Sequence, residues 1–138
     1  MTMPPMSEHV RELLNMGEVR VVLVDSITQV IADDDGSIIV TGSHGGLSSG
    51  RYAASVRAKL YAFNDAGGGK DGAGMAALPL LEKQGTAALC VSHNSARIGD
   101  AHDTFRHGII AVVNGTARSL GFEPDKSLQT SLAVLGRS

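Results

Sequence analysis

Three short polar stretches carry the side chains and glycines from which a small-molecule site can be assembled. They are Thr41-Gly-Ser-His-Gly-Gly46, Asn64-Asp-Ala-Gly-Gly-Gly-Lys-Asp-Gly-Ala-Gly74 and Ser92-His-Asn-Ser95. Imidazoles exchange protons near neutral pH when a carboxylate orients the ring. His44 and His93, with Asp65 as partner, are therefore the candidates for general acid–base work. Ser43 is a candidate nucleophile that needs His93 as its base and Asp25 or Asp65 as orienter, the parts of a serine hydrolase. Ser43 and His44 are chain neighbours and serve each other poorly, and the segment is not G-x-S-x-G. The amides of Gly45 and Gly46 are candidate donors to an oxyanion beside them.

Gly67, Gly69 and Gly72 have the G-x-G-x-x-G spacing, and they fall between a predicted strand and a predicted helix. Amides of Gly67, Gly68 and Gly69, with the side chains of Asn64 and Lys70, would then hold an anion at a helix start. A dinucleotide is not expected, because Ser92 and His93 stand where an acidic ribose ligand belongs and 138 residues do not supply two Rossmann halves. A Walker A loop fails as well, since Lys70 is followed by Asp71. In the plainer reading of the same residues, Asp71 caps the helix and the glycines permit close packing. Ser92, Ser95 and Arg97 complete the candidate ligand-binding set, while Asp100, His102 and Asp103 belong to a loop able to fold over it. His93, Asp100, His102, Asp103 and His107 have no spacing that specifies a metal, and none is expected, nor any cofactor. Cys90 lies inside an apolar run and reads as a small hydrophobe, as Met75, Tyr52, Tyr61 and Phe63 read as core.

These residues make a site only if the fold brings them to one place. Val19–Val24 is an unbroken run of mostly β-branched residues, which predicts an interior strand. Further strands are predicted at 37–41, 59–63, 86–91 and 108–113. Helices are predicted at 7–17 behind a Ser7 cap, at 47–57 near serines able to cap it, at 73–84 and in a short stretch ending before Gly121. Asp33, Asp34 and Asp35 read as a solvated turn, 92–103 as a polar loop, and 123–138 is weakly patterned. The link between the first two strands is barely long enough for a crossover, but two doubly buried strands favour parallel pairing over a hairpin.

The pattern predicts an α/β fold, one three-layer domain over 1–138 with a mainly parallel sheet of about five strands. In such a sheet ligands bind beyond the carboxyl ends of the strands, where Asp25, Ser43, His44, Asn64, Asp65, Ser92 and His93 all fall. The same polar residues also suit plain capping and turn duties.

Composition limits the function classes. Twelve basic against 14 acidic residues give a net charge of −2, so no electrostatic footprint for nucleic acid or an acidic membrane is present. One cysteine excludes an internal disulfide framework. No apolar run approaches the ~20 residues of a membrane span and residues 1–6 lack a signal pattern, so a cytoplasmic protein is expected. With 43% hydrophobic and 4% aromatic residues, the core should be aliphatic. The expected function is acid–base or hydrolytic chemistry on an anionic or carbonyl-bearing metabolite, and the alternative is a non-catalytic metabolite-binding or regulatory module using the same edge. The run 73–81 carries no charged side chain, which predicts a homo-oligomer covering its second face.

Overall fold

The computed structural model describes residues 11–68 and 70–135, with the backbone alone at Lys70, Asp71 and Ala73. The first element corrects the sequence reading: Arg11–Met16 is a strand, β1, and residues 7–10 of the predicted helix lie outside the described residues. Its partner is Val19–Val24, β2, and the pair is antiparallel with Met16 opposite Val19. Only Gly17 and Glu18 remain for the turn. Gly17 has φ 62°, at the first central position where a type II′ hairpin turn takes glycine. The apolar spacing at Leu13 and Leu14 suited either period, and the hairpin resolves it in favour of the strand.

The remaining strands are Ile38–His44 (β3), Leu60–Asn64 (β4), Ala88–Val91 (β5) and Ile110–Val113 (β6), in one sheet of order β1-β2-β3-β4-β5-β6. Neighbours from β2 to β5 are parallel, so the short crossover after β2 is real, whereas β1 and β6 run antiparallel at the two edges. The chain is thus α/β with a six-stranded, mostly parallel sheet. The sixth strand is the missed β1, and the strand predicted at 108–113 runs opposite to its neighbour.

The crossover from β2 to β3 contains two 3₁₀ turns, Ile27–Gln29 and Ala32–Asp34. Asp34 departs from the solvated turn expected there: it is fully buried while Asp33 and Asp35 are exposed. Its carboxylate takes two hydrogen bonds from Arg11 of β1, at 2.9 and 2.7 Å, and one from the Ile31 amide at 2.9 Å. This bond set clamps the edge hairpin to the crossover.

The helices are Leu47–Ala54 (α1), Ala77–Glu82 (α2), Ala101–His107 (α3), Gly115–Ser119 (α4) and Leu128–Leu132 (α5) among the described residues. Gly46, rather than a serine, is the N-cap of α1, and Lys70–Met75 is a 3₁₀ segment ahead of a shorter α2 than predicted. Helix α3 starts inside the stretch expected as a polar loop: Asp100 caps it through the Asp103 amide, and Ala101, Thr104 and Phe105 have helical spacing. Alternate strand residues feed two apolar clusters. Val22, Ile39, Tyr61, Phe63 and Cys90 join Ala53, Leu78 and Leu81, while Leu23, Val40, Leu60 and Leu89 join Phe105, Ala117, Leu128 and Leu132. Burial on both sides explains why the strands are unbroken apolar runs. No helix among the described residues is long and apolar enough to cross a membrane.

Candidate functional site

Because β2 to β5 are parallel, their carboxyl ends share one edge. The register pairs Val24 with Thr41, His44 with Asn64, and Asn64 with Val91, so Asp25, His44, Asp65, Ser92 and His93 follow one another along it. A bulge between Val40 and His44 brings Gly42 beneath the 97–100 loop, where an added Cβ would lie 2.4 Å from the Asp100 nitrogen. The Gly99 amide donates to the Gly42 carbonyl at 2.7 Å, closing that loop onto β3.

Asn64 anchors the middle of the edge. It is fully buried, donates from Nδ2 to the Ala96 carbonyl at 3.0 Å and accepts the Ala66 amide on Oδ1 at 2.8 Å. Asp65 is thereby set at the rim. Its Oδ1 accepts from the Gly67 amide at 2.8 Å and the His93 amide at 3.0 Å, and lies 3.2 Å from His93 Nδ1. A carboxylate only accepts, so in the neutral ring the tautomer with the proton on Nδ1 is the one this contact selects, and Nε2 then presents a lone pair. The ring rests over Gly67, whose Cβ would meet it at 3.7 Å, and half of the side chain, 50%, is exposed.

His44 has the opposite polarity. Its Nδ1 accepts the Gly46 amide at 3.1 Å. A backbone N–H only donates, so Nδ1 is bare and the proton of this tautomer sits on Nε2, at an exposed ring beside the start of α1.

The other candidates are occupied within the protein. Asp25 Oδ1 accepts the Ala101 amide at 2.9 Å and so holds the first turn of α3. Ser43 Oγ accepts the Ile27 amide at 2.9 Å, and among the described residues neither His44 nor His93 hydrogen-bonds to it. Ser92 Oγ accepts from the Ser95 amide at 3.2 Å, and Ser95 Oγ donates to the Ser92 carbonyl at 2.9 Å while accepting the Ile109 amide at 2.8 Å. The glycine amides proposed as donors are likewise engaged. Gly45 donates to the Asn64 carbonyl at 2.9 Å, Gly46 to His44, Gly67 to Asp65 Oδ1, and Gly68 to the Asp65 carbonyl at 2.7 Å. Gly69 and the Lys70 side chain lie outside the described residues.

Packing explains much of the glycine content. A Cβ on Gly45 would come within 2.7 Å of Cys90 Sγ, and one on Gly74 within 2.4 Å of the Asp65 carbonyl oxygen. Gly74, absent from the sequence-derived set, is therefore what lets the loop close on Asp65. Its signal was being a glycine left over from the G-x-G-x-x-G spacing. Cys90 is buried, and burial, with some help from the Asp65 charge, pushes its thiol up to about 12. It is no nucleophile at neutral pH.

Beyond the edge, the Arg97 amide donates to Asp103 Oδ2 at 2.7 Å, and His107 Nδ1 meets Asp103 Oδ1 at 2.9 Å; these two bonds hold the Asp103 carboxyl below its ordinary range. His102 bonds Glu12 of β1 at 2.7 Å, so the histidines around α3 are spent on separate carboxylates. Among the described residues no three His, Cys, Asp or Glu side chains come together as metal ligands would. No protein-family model, curated protein or solved structure matches the chain.

Proposed function

We propose that the chain is a small enzyme performing acid–base chemistry on an anionic or carbonyl-bearing metabolite, at the carboxyl edge of a three-layer α/β fold. His93 is the general base, Asp65 orients it and His44 is the second proton-handling group. The observation that carries this reading is the Asp65–His93 pair, in which one carboxylate oxygen meets both the amide and Nδ1 of His93 while Nε2 has no hydrogen-bond partner among the described residues. Hydrolysis through Ser43 is the less favoured chemistry, because neither His44 nor His93 among the described residues hydrogen-bonds its hydroxyl to act as base.

A thermal-shift screen with phosphates, carboxylates, amides and divalent metals tests the reading. A ligand at 100 times its Kd adds about 2.7 kcal/mol, and the hits are then assayed for turnover. Turnover lost in His93→Gln with binding retained is the expected result. Binding without turnover, unaffected by His44→Ala or His93→Gln, would make the chain a metabolite-binding module.

Homo-oligomerisation in a cytoplasmic setting is the accompanying proposal. Met75, Leu78 and Pro79 line an apolar groove with Val112 and Val113 on the edge strand β6, a flank that a second copy would cover. Light scattering should give a multiple of the chain mass that falls to one chain in Pro79→Glu; a single-chain mass for the unaltered protein rejects it.

A further inference from the structure

We infer that the substrate is a carbonyl compound with an acidic C–H beside the carbonyl, and that His93 and His44 together enolise it. The inference rests on the acid–base reading above and adds the substrate class and the division of labour. Its ground is the opposed polarity of two exposed imidazoles on one edge. Asp65 keeps the proton of His93 on Nδ1, so its Nε2 accepts; the Gly46 amide keeps Nδ1 of His44 bare, so its Nε2 donates. The donor stands at the end of β3 and the base on the loop after β5, two strand spacings or about 10 Å of backbone away, with its ring turned back over the 65–67 turn that follows the intervening β4. The substrate proposed here would reach both rings above that turn.

The surroundings narrow the chemistry further. Acyl transfer requires an activated nucleophile and an oxyanion hole, whereas no histidine among the described residues hydrogen-bonds the hydroxyls of Ser43, Ser92 or Ser95, and the amides of Gly45, Gly46, Gly67 and Gly68 have protein acceptors. Enolisation needs only a base at carbon and a hydrogen-bond donor at oxygen. An imidazole whose Nδ1 is tied to an amide at a helix start is suited to polarise a carbonyl through Nε2–H without carrying charge itself.

In the step, His93 Nε2 takes the α-proton and the C–H electron pair becomes the C=C bond. The carbonyl π pair moves to oxygen, and the enolate oxygen takes a strengthened hydrogen bond from His44 Nε2–H. The imidazolium formed faces the Asp65 carboxylate until the proton returns to carbon. Nothing is oxidised or reduced, and no co-reactant is needed.

The test is deuterium exchange at the α-carbon of pyruvate, 2-oxobutyrate, acetoacetate and dihydroxyacetone phosphate in D₂O, followed by proton NMR. Accelerated exchange is expected with at least one probe, falling about 100-fold or more in His93→Gln and about 100-fold in His44→Ala, with unchanged melting of both variants. Long-range ¹H–¹⁵N spectra of the imidazoles should show Nε2–H for His44 and Nδ1–H for His93, the latter lost in Asp65→Ala, which marks Asp65 as a positioning residue. Absence of exchange for every probe, or an Nδ1–H tautomer at His44, overturns the inference. If exchange is absent but 4-nitrophenyl acetate is hydrolysed in a His93-dependent way, enolisation falls and the acid–base reading stands. Absence of both reactions removes both.

Discussion

Asp34, in the crossover between β2 and β3, and Asp65, directly after β4, each gather several donors on one carboxylate, yet their partners differ. Asp34 faces Arg11, a permanent cation that reaches it through two N–H groups, and is buried at 0% exposure. Asp65 faces His93, which shares one oxygen with two backbone amides and keeps half of its side chain in water. A guanidinium has no proton to exchange near neutral pH, so the first pair can only hold structure together. An imidazole held by one nitrogen keeps the other for a ligand. Burial plus fixed charge makes a clamp, whereas partial exposure plus a transferable proton is what the role proposed for His93 requires.

The largest break in this comparison is expected from Asp34→Ala. It leaves Arg11, 28% exposed, and the Ile31 amide without their buried acceptor. A loss of about 3 kcal/mol, or roughly 10 °C in Tm, should follow in calorimetry. Gly74→Ala comes next, at about 2 kcal/mol, because its Cβ would sit 2.4 Å from the Asp65 carbonyl oxygen and backbone must move; the same shift should disturb the Asp65–His93 pair and lower the proposed activity.

Acid sharpens the contrast without a mutation. Burial alone would raise the Asp34 carboxyl, but the Arg11 hydrogen bonds, the Ile31 amide and the nearby charges outweigh it and hold the group below its usual value near 4. Its stabilisation is therefore complete above that value and disappears as pH falls through the lowered folded value. Urea midpoints taken downward from pH 4 should decline more steeply for the natural chain than for Asp34→Asn, and equal slopes would detach Asp34 from acid stability.

Smaller effects test the other side. Gly68 has φ 86° with nothing within 4 Å of an added Cβ, so Gly68→Ala should cost only the left-handed backbone strain, about 1 kcal/mol. His93→Gln should change stability by less than about 0.5 kcal/mol, since its ring is half in water. A His93→Gln variant destabilised as much as Asp34→Ala would turn the Asp65 pair into a second clamp.

Several of these distinctions were visible before any fold was known, and others were hidden for a definite reason. Val19–Val24 and the apolar residues of β5 declared buried parallel strands because burial on two faces demands unbroken apolar runs, a property of the local sequence. Arg11–Met16 was ambiguous because a half-exposed edge strand needs few apolar residues, and Leu13 and Leu14 suit a helix as well. Only the hairpin with Val19–Val24 decides it. Helix α3 hid among polar residues because it buries just Ala101, Thr104 and Phe105.

The candidate site divides along the same line. Residue chemistry alone brought Asp65, His93 and His44 into one short set, because imidazoles and carboxylates at the ends of parallel strands must share an edge. What sequence leaves open is which hydrogen bonds are already made. Asp25 and Ser43 are as polar as Asp65, but α3 and the 26–30 turn claim them, and the glycine amides that might have met an anion meet carbonyls and side chains of their own loops. The acidic triplet at 33–35 makes the point most simply. Three identical residues are indistinguishable in sequence, and only the approach of Arg11 from a separate strand buries the middle one. Residue type and period determined the strands and the edge; long-range approach decided which polar groups on that edge remained free, since a donor supplied from elsewhere in the chain leaves no mark on its acceptor's local sequence.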